Sequence, residues 1–407
     1  MGRVRAFVQD DIPRVAELYW QFLQGQKDPH PPGLEEYFQE VFFHNPWFDS
    51  SLRSLVYEDG SRIVGFQGVV PRPMFMNGRA IQAAFGSSLV VHPESRATLA
   101  GLKLLVAFMD GKQDVAMTDT SNRLNQQLWV RLGGSTSAAH GMKWARPLRP
   151  GLYGLYTMSR LGKERFSGAV SHMCGVLQET INAVAARIPR GHVRRRPDDI
   201  AEEELDIDTL LRSCLPSTSG CYSLRPEYNR ESLRWLLDFM SRMKAFGNLR
   251  KVVLRGATKE IIGWFIYYAK CGGIADVVQM EAAKFHMNKV LDYLFWDAWN
   301  RGAIGVQGRL EIRYAQELSE ARCFFWGSVP LLFRTRNPEL ARLVQRGDAC
   351  ISRLDGEWCL RYGAPGHEGA SAALDLASKH ESNPEATKKL APSNFQPSQP
   401  LQPKAAE

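Results

Sequence analysis

The segment Ser88-Leu89-Val90-Val91-His92-Pro93-Glu94-Ser95-Arg96-Ala97-Thr98-Leu99-Ala100-Gly101-Leu102 is the part of this chain best suited to hold a charged ligand. Its apolar, β-branched start reads as a strand and the residues from Ala97 as a helix, so the chain must turn sharply between them. The first turn of a helix leaves backbone N–H groups without partners and carries partial positive charge, which suits a pyrophosphate. Arg96 adds a full positive charge there, and the small side chains of Ala97, Ala100 and Gly101 allow a ligand close to the backbone. Rival chemistries find no footing. The chain has no HExxH or paired Cys/His spacing, no GxxxxGK phosphate loop, no GxSxG elbow and no GxGxxG, so metal-dependent and nucleotide hydrolysis are not expected.

Such a turn needs a sheet behind it. Val4, Ala6 and Val8 alternate as in a half-buried strand, and Asp10-Asp11 precede a helical pattern at Ile12, Val15, Ala16, Tyr19, Phe22 and Leu23. Three β-rich runs follow, Ser54–Tyr57, Ile63–Met76 and Ala80–Val91, separated by Asp59-Gly60 and Asn77-Gly78, which are strong hairpin signals. Beyond the turn come a helix over Ala97–Met109, a short strand over Asp114–Thr118, a helix from about Asn122 to Leu132 closed by Gly133-Gly134, and a last strand over Met142–Pro147. That order describes one mixed α/β domain over residues 1–150.

Residues 151–213 read as a helical, charged connector in which Arg187, Arg190 and Arg194-Arg195-Arg196 give way to an acidic run from Asp198 to Asp208. Neighbouring blocks of opposite charge predict a solvated, self-neutralising surface, and no aromatic side chains interleave with the arginines as nucleic-acid stacking requires. Over residues 214–363 the earlier order returns: helix Glu231–Met243, strands Arg250–Arg255, Ile261–Ala269 and Ile274–Met280, helix His286–Arg301, strand Ile304–Gln307 and helix Glu311–Glu320. Ile63-Val64-Gly65-Phe66 reappears as Ile261-Ile262-Gly263-Trp264, each time in the second of three strands, which points to a duplicated domain. Trp235, Trp264, Trp296 and Trp299 lie in apolar runs and are expected in the core. From residue 364 to 407 the chain is rich in Pro, Ser, Ala, Gln and Lys with Phe395 its sole aromatic, and a disordered tail is expected.

With 407 residues, 44% of them hydrophobic, the chain can build two cores. Its net charge of +8 suits any phosphate-rich ligand. Seven cysteines without a CxxC pair argue against a disulfide framework or a zinc site. With no apolar leader and no apolar run of membrane-spanning length, a cytoplasmic protein without a bound metal is expected.

From Arg96 onward the turn resembles the pyrophosphate loop of the GNAT superfamily of acyl-CoA N-acyltransferases, which reads Arg or Gln, two residues, Gly, one residue, then Gly or Ala. Arg96 takes the first position, Leu99 stands in place of the first Gly, and Gly101 takes the last. Downstream, Asn122, Trp129 and Leu132-Gly133-Gly134 occupy the places of the superfamily's helix-opening Asn, its Tyr and its Leu-Gly-Phe. The resemblance covers residues 3–148 with motifs and 220–362 by element order alone. It implies an α/β protein with two tandem GNAT-like mixed-sheet domains and flanking helices. It further implies acetyl-CoA or another acyl-CoA as co-substrate, held by Leu89, Val90 and Val91 of the strand, by Arg96, Ala97, Thr98, Leu99, Ala100, Gly101 and Leu102 of the turn and helix, and by Asn122 on the pantetheine arm. Trp129 replaces the Tyr that often protonates the leaving thiolate, and an indole only donates hydrogen bonds. In the second copy Met280–Met287 lacks the loop pattern, so that copy is expected to have lost coenzyme binding and to wall the cleft instead.

The reaction so implied is N-acyl transfer to a small amine, an amino sugar or a peptide-like acceptor. An amine arrives protonated and needs a base. Asp119, just past the strand that would flank the acyl group, is the expected catalytic residue, with Glu94 and His92 as neighbours that could serve. Each of these residues also has an ordinary use: Asp119, Glu94 and Asn122 as helix caps, Arg96 as a surface charge, Gly101 in helix–sheet packing. Two rivals keep the fold. One is a Fem-like transferase taking aminoacyl-tRNA, the route by which a nucleic acid would enter; the other is a catalytically silent binding or scaffolding protein.

Overall fold

The computed structural model describes residues 2–161, 196–197, 199–216 and 220–362. Arg187, Arg190, Arg194 and Arg195, most of the expected helical connector and the tail from residue 364 lie outside the described residues. The first half contains β1 (Arg3–Ala6), α1 (Ile12–Phe22), α2 (Gly33–Phe42), β2 (Leu55–Asp59), β3 (Arg62–Met76), β4 (Arg79–Val91), α3 (Ala100–Met109), β5 (Val115–Thr118), α4 (Arg123–Arg131), β6 (Ser135–Ser137), β7 (Met142–Pro147) and α5 (Pro150–Leu161). The second half contains β8 (Ala201–Glu204), β9 (Leu224–Pro226), α6 (Arg230–Arg242), β10 (Asn248–Arg255), β11 (Ile261–Ala269), β12 (Ile274–Ala282), α7 (Met287–Asn300), β13 (Gly305–Arg309), α8 (Ala315–Glu320), β14 (Phe324–Gly327), β15 (Leu331–Thr335) and α9 (Pro338–Arg346). Asn77 and Gly78 both take positive φ, 51° and 80°, and turn β3 into β4 as a two-residue hairpin requires.

Two sheets result, with matching strand orders. One runs β1-β2-β3-β4-β5-β15-β6, with β9 also paired to β3; the other runs β8-β10-β11-β12-β13-β7-β14. In both, the fourth and fifth strands are parallel and their pairing stops early. It ends at Phe85↔Met117 in the first sheet and at Asp276↔Gln307 in the second. Phe85 and Asp276 stand the same distance before Val91 and Ala282, which pair with Gly65 and Gly263. The repeated Ile-x-Gly-aromatic sequence therefore marks equivalent positions, and its Gly has a packing reason. A Cβ on Gly65 would lie 2.9 Å from Leu104 of α3, and one on Gly263 would lie 2.3 Å from Val290 of α7.

The halves exchange strands. Met142–Pro147 forms a strand, but not as the last strand of the first domain: β7 sits between β13 and β14 of the second sheet. In return β15 sits between β5 and β6 of the first. Packing explains the destination. Trp144 of β7 is fully buried in the second core, edge-on to Phe295 and above Gly308, where a Cβ would lie 3.0 Å from the indole. Leu331, Leu332 and Phe333 of β15 are buried against Met117, Phe85 and Trp129 of the first half. Linear boundaries at residue 150 or 214 thus do not separate the two sheets.

A third layer joins them. α1 and α2 meet α6 in one shared core, where Tyr37 lies 6.3 Å from Phe239 and Trp47 lies 5.6 Å from Trp235. Part of the acidic run, expected within a helical connector, forms an edge strand. β8 is exposed along its length, and Glu202, Glu203 and Glu204 are ion-paired with Arg250, Arg255 and Lys251 of β10. Among the described residues, no helix is long and apolar enough to cross a membrane.

Candidate active site

Where β4 and β5 part, a cavity of about 100 Å3 opens. Gly86, Ser87, Ser88 and Leu89 of β4 form one wall, and Thr118, Thr120 and Ser121 the other. Leu105 and Phe108 of α3 with Asn125 and Trp129 of α4 close the back; Leu23 and Glu357 stand at the front. A bulge shapes the β4 wall. Phe66 pairs with Val90 and Gly68 with Ser87, so Ser88 and Leu89 together oppose Gln67. Such a bulge turns amides away from the ladder. Ser88 takes a φ of 52°, and Gln67 braces the bulge by donating from Nε2 to the carbonyls of Gly68 and Ser87 at 2.9 and 3.0 Å.

Two buried polar atoms on the cavity lining have no hydrogen-bond partner among the described residues: the indole Nε1 of Trp129 and Oδ1 of Asn125. They stand one helical turn apart on the same face of α4. An unmatched buried donor or acceptor costs about 1–3 kcal/mol, so each of the two would gain from a partner entering the cavity. Asn122 is exposed and caps α4, accepting from the Asn125 amide at 2.9 Å.

The turn at residues 92–99 leads from β4 to α3 through a short 3-10 segment, Pro93–Thr98. Leu99, where the loop pattern calls for Gly, adopts the left-handed conformation all the same, with φ 60° and its side chain 56% exposed. No side chain caps α3, so the first N–H groups of the helix, those of Ala100, Gly101 and Leu102, remain open. Arg96 is exposed on this turn. Leu89 and Val91 pack partly buried beside Ala100 and Leu104, and Val90 joins the core beneath. Glu94 is exposed, whereas His92 packs edge-on against Phe22 at 4.7 Å.

Asp119 does not face open space. Its side chain is fully buried, its Oδ2 accepts from Arg309 Nη2 at 2.8 Å, and its Oδ1 accepts from the Glu357 amide at 3.1 Å. Arg309 stands two residues past the last parallel pair of β13, as Asp119 does past that of β5, so the pair joins equivalent points of the two copies. The carboxylate that does reach the cavity is Glu357. Its Oε1 accepts from the Ser88 amide at 2.9 Å and its Oε2 from the Thr120 hydroxyl. Burial, reinforced by the charge of Asp119 and opposed by the Ser88 hydrogen bond and Arg361, pushes its carboxyl up to about 8.

Glu357 rides on a loop that both halves fasten. Arg72, stacked 3.5 Å from the Trp47 ring, donates to the Asp355 carbonyl; Tyr37 donates to the Leu360 carbonyl at 2.9 Å; Arg353 pairs with Asp276 at 2.9 Å. Gly356 is tight against Asp119, whose Oδ2 would lie 2.2 Å from an added Cβ.

No protein-family model and no curated protein matches the chain in sequence. Solved structures do match in shape. A GCN5-related N-acetyltransferase from Anabaena variabilis superposes with a TM-score of 0.53 at 11% identity, over 83% of this chain and 73% of that one. A probable N-acyltransferase from Enterococcus faecalis gives 0.53 at 8% identity, over 85% and 74%. N-myristoyltransferase from Saccharomyces cerevisiae with bound myristoyl-CoA gives 0.50 at 11% identity, over 87% and 89%. The fold is the GNAT fold, built twice.

Within the first GNAT copy, of the residues read from the sequence as coenzyme-binding, Leu89–Val91 lie on β4, Arg96–Leu99 on the turn, Ala100–Leu102 at the start of α3 and Asn122 at the N-cap of α4; Leu89 and Asn122 line the cavity. Asn125 and Glu357 were not read from the sequence. Asn125 lies inside a helix whose periodicity says nothing of a cleft. Glu357 is far from every motif and follows an unremarked Asp355-Gly356 turn.

The second GNAT copy carries a buried charged cluster at the equivalent end of β12. Glu281 holds the register position of Val90, opposite Trp264 as Val90 is opposite Phe66. It accepts from Tyr314 at 2.8 Å and pairs with Arg313, while Glu311 beside it accepts from Tyr222 at 2.7 Å. Burial first, then the charge of Glu311, raises the Glu281 carboxyl above its ordinary range. Only residues 283–286 connect β12 to α7, so the turn of the first copy has no counterpart.

Proposed function

We propose that this chain is an acyl-CoA-dependent N-acyltransferase whose first copy holds the donor and whose acceptor is a small amine, an amino sugar or a peptide-like molecule. The observation that carries this reading is the unmatched pair on α4. The Trp129 N–H and the Asn125 Oδ1 offer one donor and one acceptor to the cavity, which is what an amide of a pantetheine arm requires. In this reading the strand amides of Leu89 to Val91 run beside the pantetheine. The open amides of Ala100, Gly101 and Leu102, with Arg96, take the pyrophosphate on a turn formed by Ala97, Thr98 and Leu99. Asn122 retains its amide N–H groups for the same arm. Acetyl-CoA is the simplest donor; the proteins of the same fold are named for acetyl and myristoyl transfer, and each moves an acyl group to nitrogen.

Calorimetric titration of the full chain with acetyl-CoA tests this. Binding in the micromolar range is expected, weakened about tenfold or more by Arg96→Glu and less by Trp129→Phe, since charged contacts outweigh neutral hydrogen bonds. No binding of acetyl-CoA or CoA would contradict the reading.

A further inference from the structure

We infer that Glu357, carried into the first cleft by the C-terminal half of the chain, makes both proton transfers of the reaction, taking the proton from the attacking amine and returning it to sulfur. The inference rests on the acyl-CoA reading above. Among the described residues lining the cavity, Glu357 is the one titratable side chain. Trp129 stands where an acid would be useful, yet its indole donates a hydrogen bond and yields no proton near neutral pH. Asp119 is sealed between Arg309 and the Glu357 amide, with both carboxylate oxygens engaged and no exposed surface. It is a positioning residue, acting through the loop that carries Glu357.

The step balances with one carboxyl. The lone pair of a neutral amine forms the C–N bond at the thioester carbonyl carbon, the C–S bond breaks, and its electron pair leaves on sulfur. The N–H proton lost in forming the amide passes to ionised Glu357. The Glu357 carboxyl then gives that proton to the CoA thiolate, so the products are an amide and a neutral thiol, and the carboxylate is restored. A single shuttle needs affinity for the proton between that of an ordinary carboxylate and that of a thiolate. The groups around Glu357 supply it: Asp119 behind its amide with Arg309 beyond, Arg361 on its own segment, and Tyr19 of α1 and Tyr37 of α2 as uncharged phenols.

The test uses acetyl-CoA as donor and hydroxylamine as acceptor, a nucleophile that stays neutral across the alkaline range, with acetyl-CoA affinity measured in parallel. In the wild-type chain, transfer should rise with pH through a midpoint near 8. Glu357→Gln, whose amide oxygen can still accept from Ser88, should bind acetyl-CoA normally, transfer about 100-fold more slowly or worse, and lose the pH dependence. Asp119→Asn should leave acetyl-CoA affinity unchanged and move the midpoint to lower pH, because a negative neighbour is gone. Glu357→Gln binding acetyl-CoA and transferring at the wild-type rate would overturn the shuttle while leaving the acyl-CoA reading in place. A wild-type chain that binds no acetyl-CoA would overturn that reading, and the shuttle with it.

Discussion

In the first copy, residues 92–99 form a long turn into an uncapped α3, and the gap between β4 and β5 is lined by Ser87, Ser88, Thr118 and Thr120. In the second, residues 283–286 replace the turn, and Glu281, Glu311, Arg313 and Tyr314 form a buried cluster of hydrogen bonds and ion pairs at the end of β12. The strand order is the same in both, but the bulge lies opposite Gln67 in the first and between Ile266 and Tyr267 in the second, so the difference lies in the bulge, the side chains and one loop. The C-terminal half of the chain also serves the first copy: β15 completes the first sheet, and the loop beyond α9 delivers Glu357 to the first cleft.

This contrast can be broken from either side. Arg313→Met should be the most disruptive change, because it leaves Glu281 buried beside Glu311 without its cation. A loss of about 3 kcal/mol in urea unfolding is expected, much of it recovered when Glu281→Leu is added. Gly356→Ala, which drives a Cβ into Asp119, should displace Glu357 and slow acetyl transfer by about 100-fold while acetyl-CoA still binds.

Glu357→Gln should be the reverse of damaging to stability. The folded carboxyl sits near 8, above its ordinary 4.5, so the stability its neutral form provides is full below about 4.5 and is lost as pH rises through 8. The Gln variant escapes that loss, and its unfolding free energy at pH 9 should exceed wild type by on the order of 2 kcal/mol, with little difference at pH 4.5. The smallest effect should come from Leu99→Gly. Removing a side chain from a left-handed position should stabilise the fold by about 0.5 kcal/mol, net of the greater freedom of Gly when unfolded.

Much of the fold could be read from local pattern. The Asn77-Gly78 hairpin, the alternation in β1 and the Gly65/Gly263 repeat are signals within a few residues, and the strands and helices they imply are present. What local pattern lacked was partnership. Met142–Pro147 reads as a strand, but which sheet receives it depends on Trp144 finding Gly308 and Phe295 far along the chain. The site divides the same way. The turn from Arg96 to Leu102 is contiguous and legible, and even Leu99 folds as the Gly it replaces would. Glu357 becomes visible when the second half folds against the first, because neither its neighbours in sequence nor its residue type distinguishes it from other surface glutamates.

The central claim is that one cleft of two binds acyl-CoA. Native mass spectrometry of the full chain with saturating acetyl-CoA tests it most directly. The account predicts one acetyl-CoA per chain, retained when Glu281→Leu and Arg313→Met are combined and, with acetyl-CoA lowered to the wild-type Kd, largely lost in Arg96→Glu. Two bound molecules, none, or undiminished occupancy in Arg96→Glu at that lower concentration would contradict it.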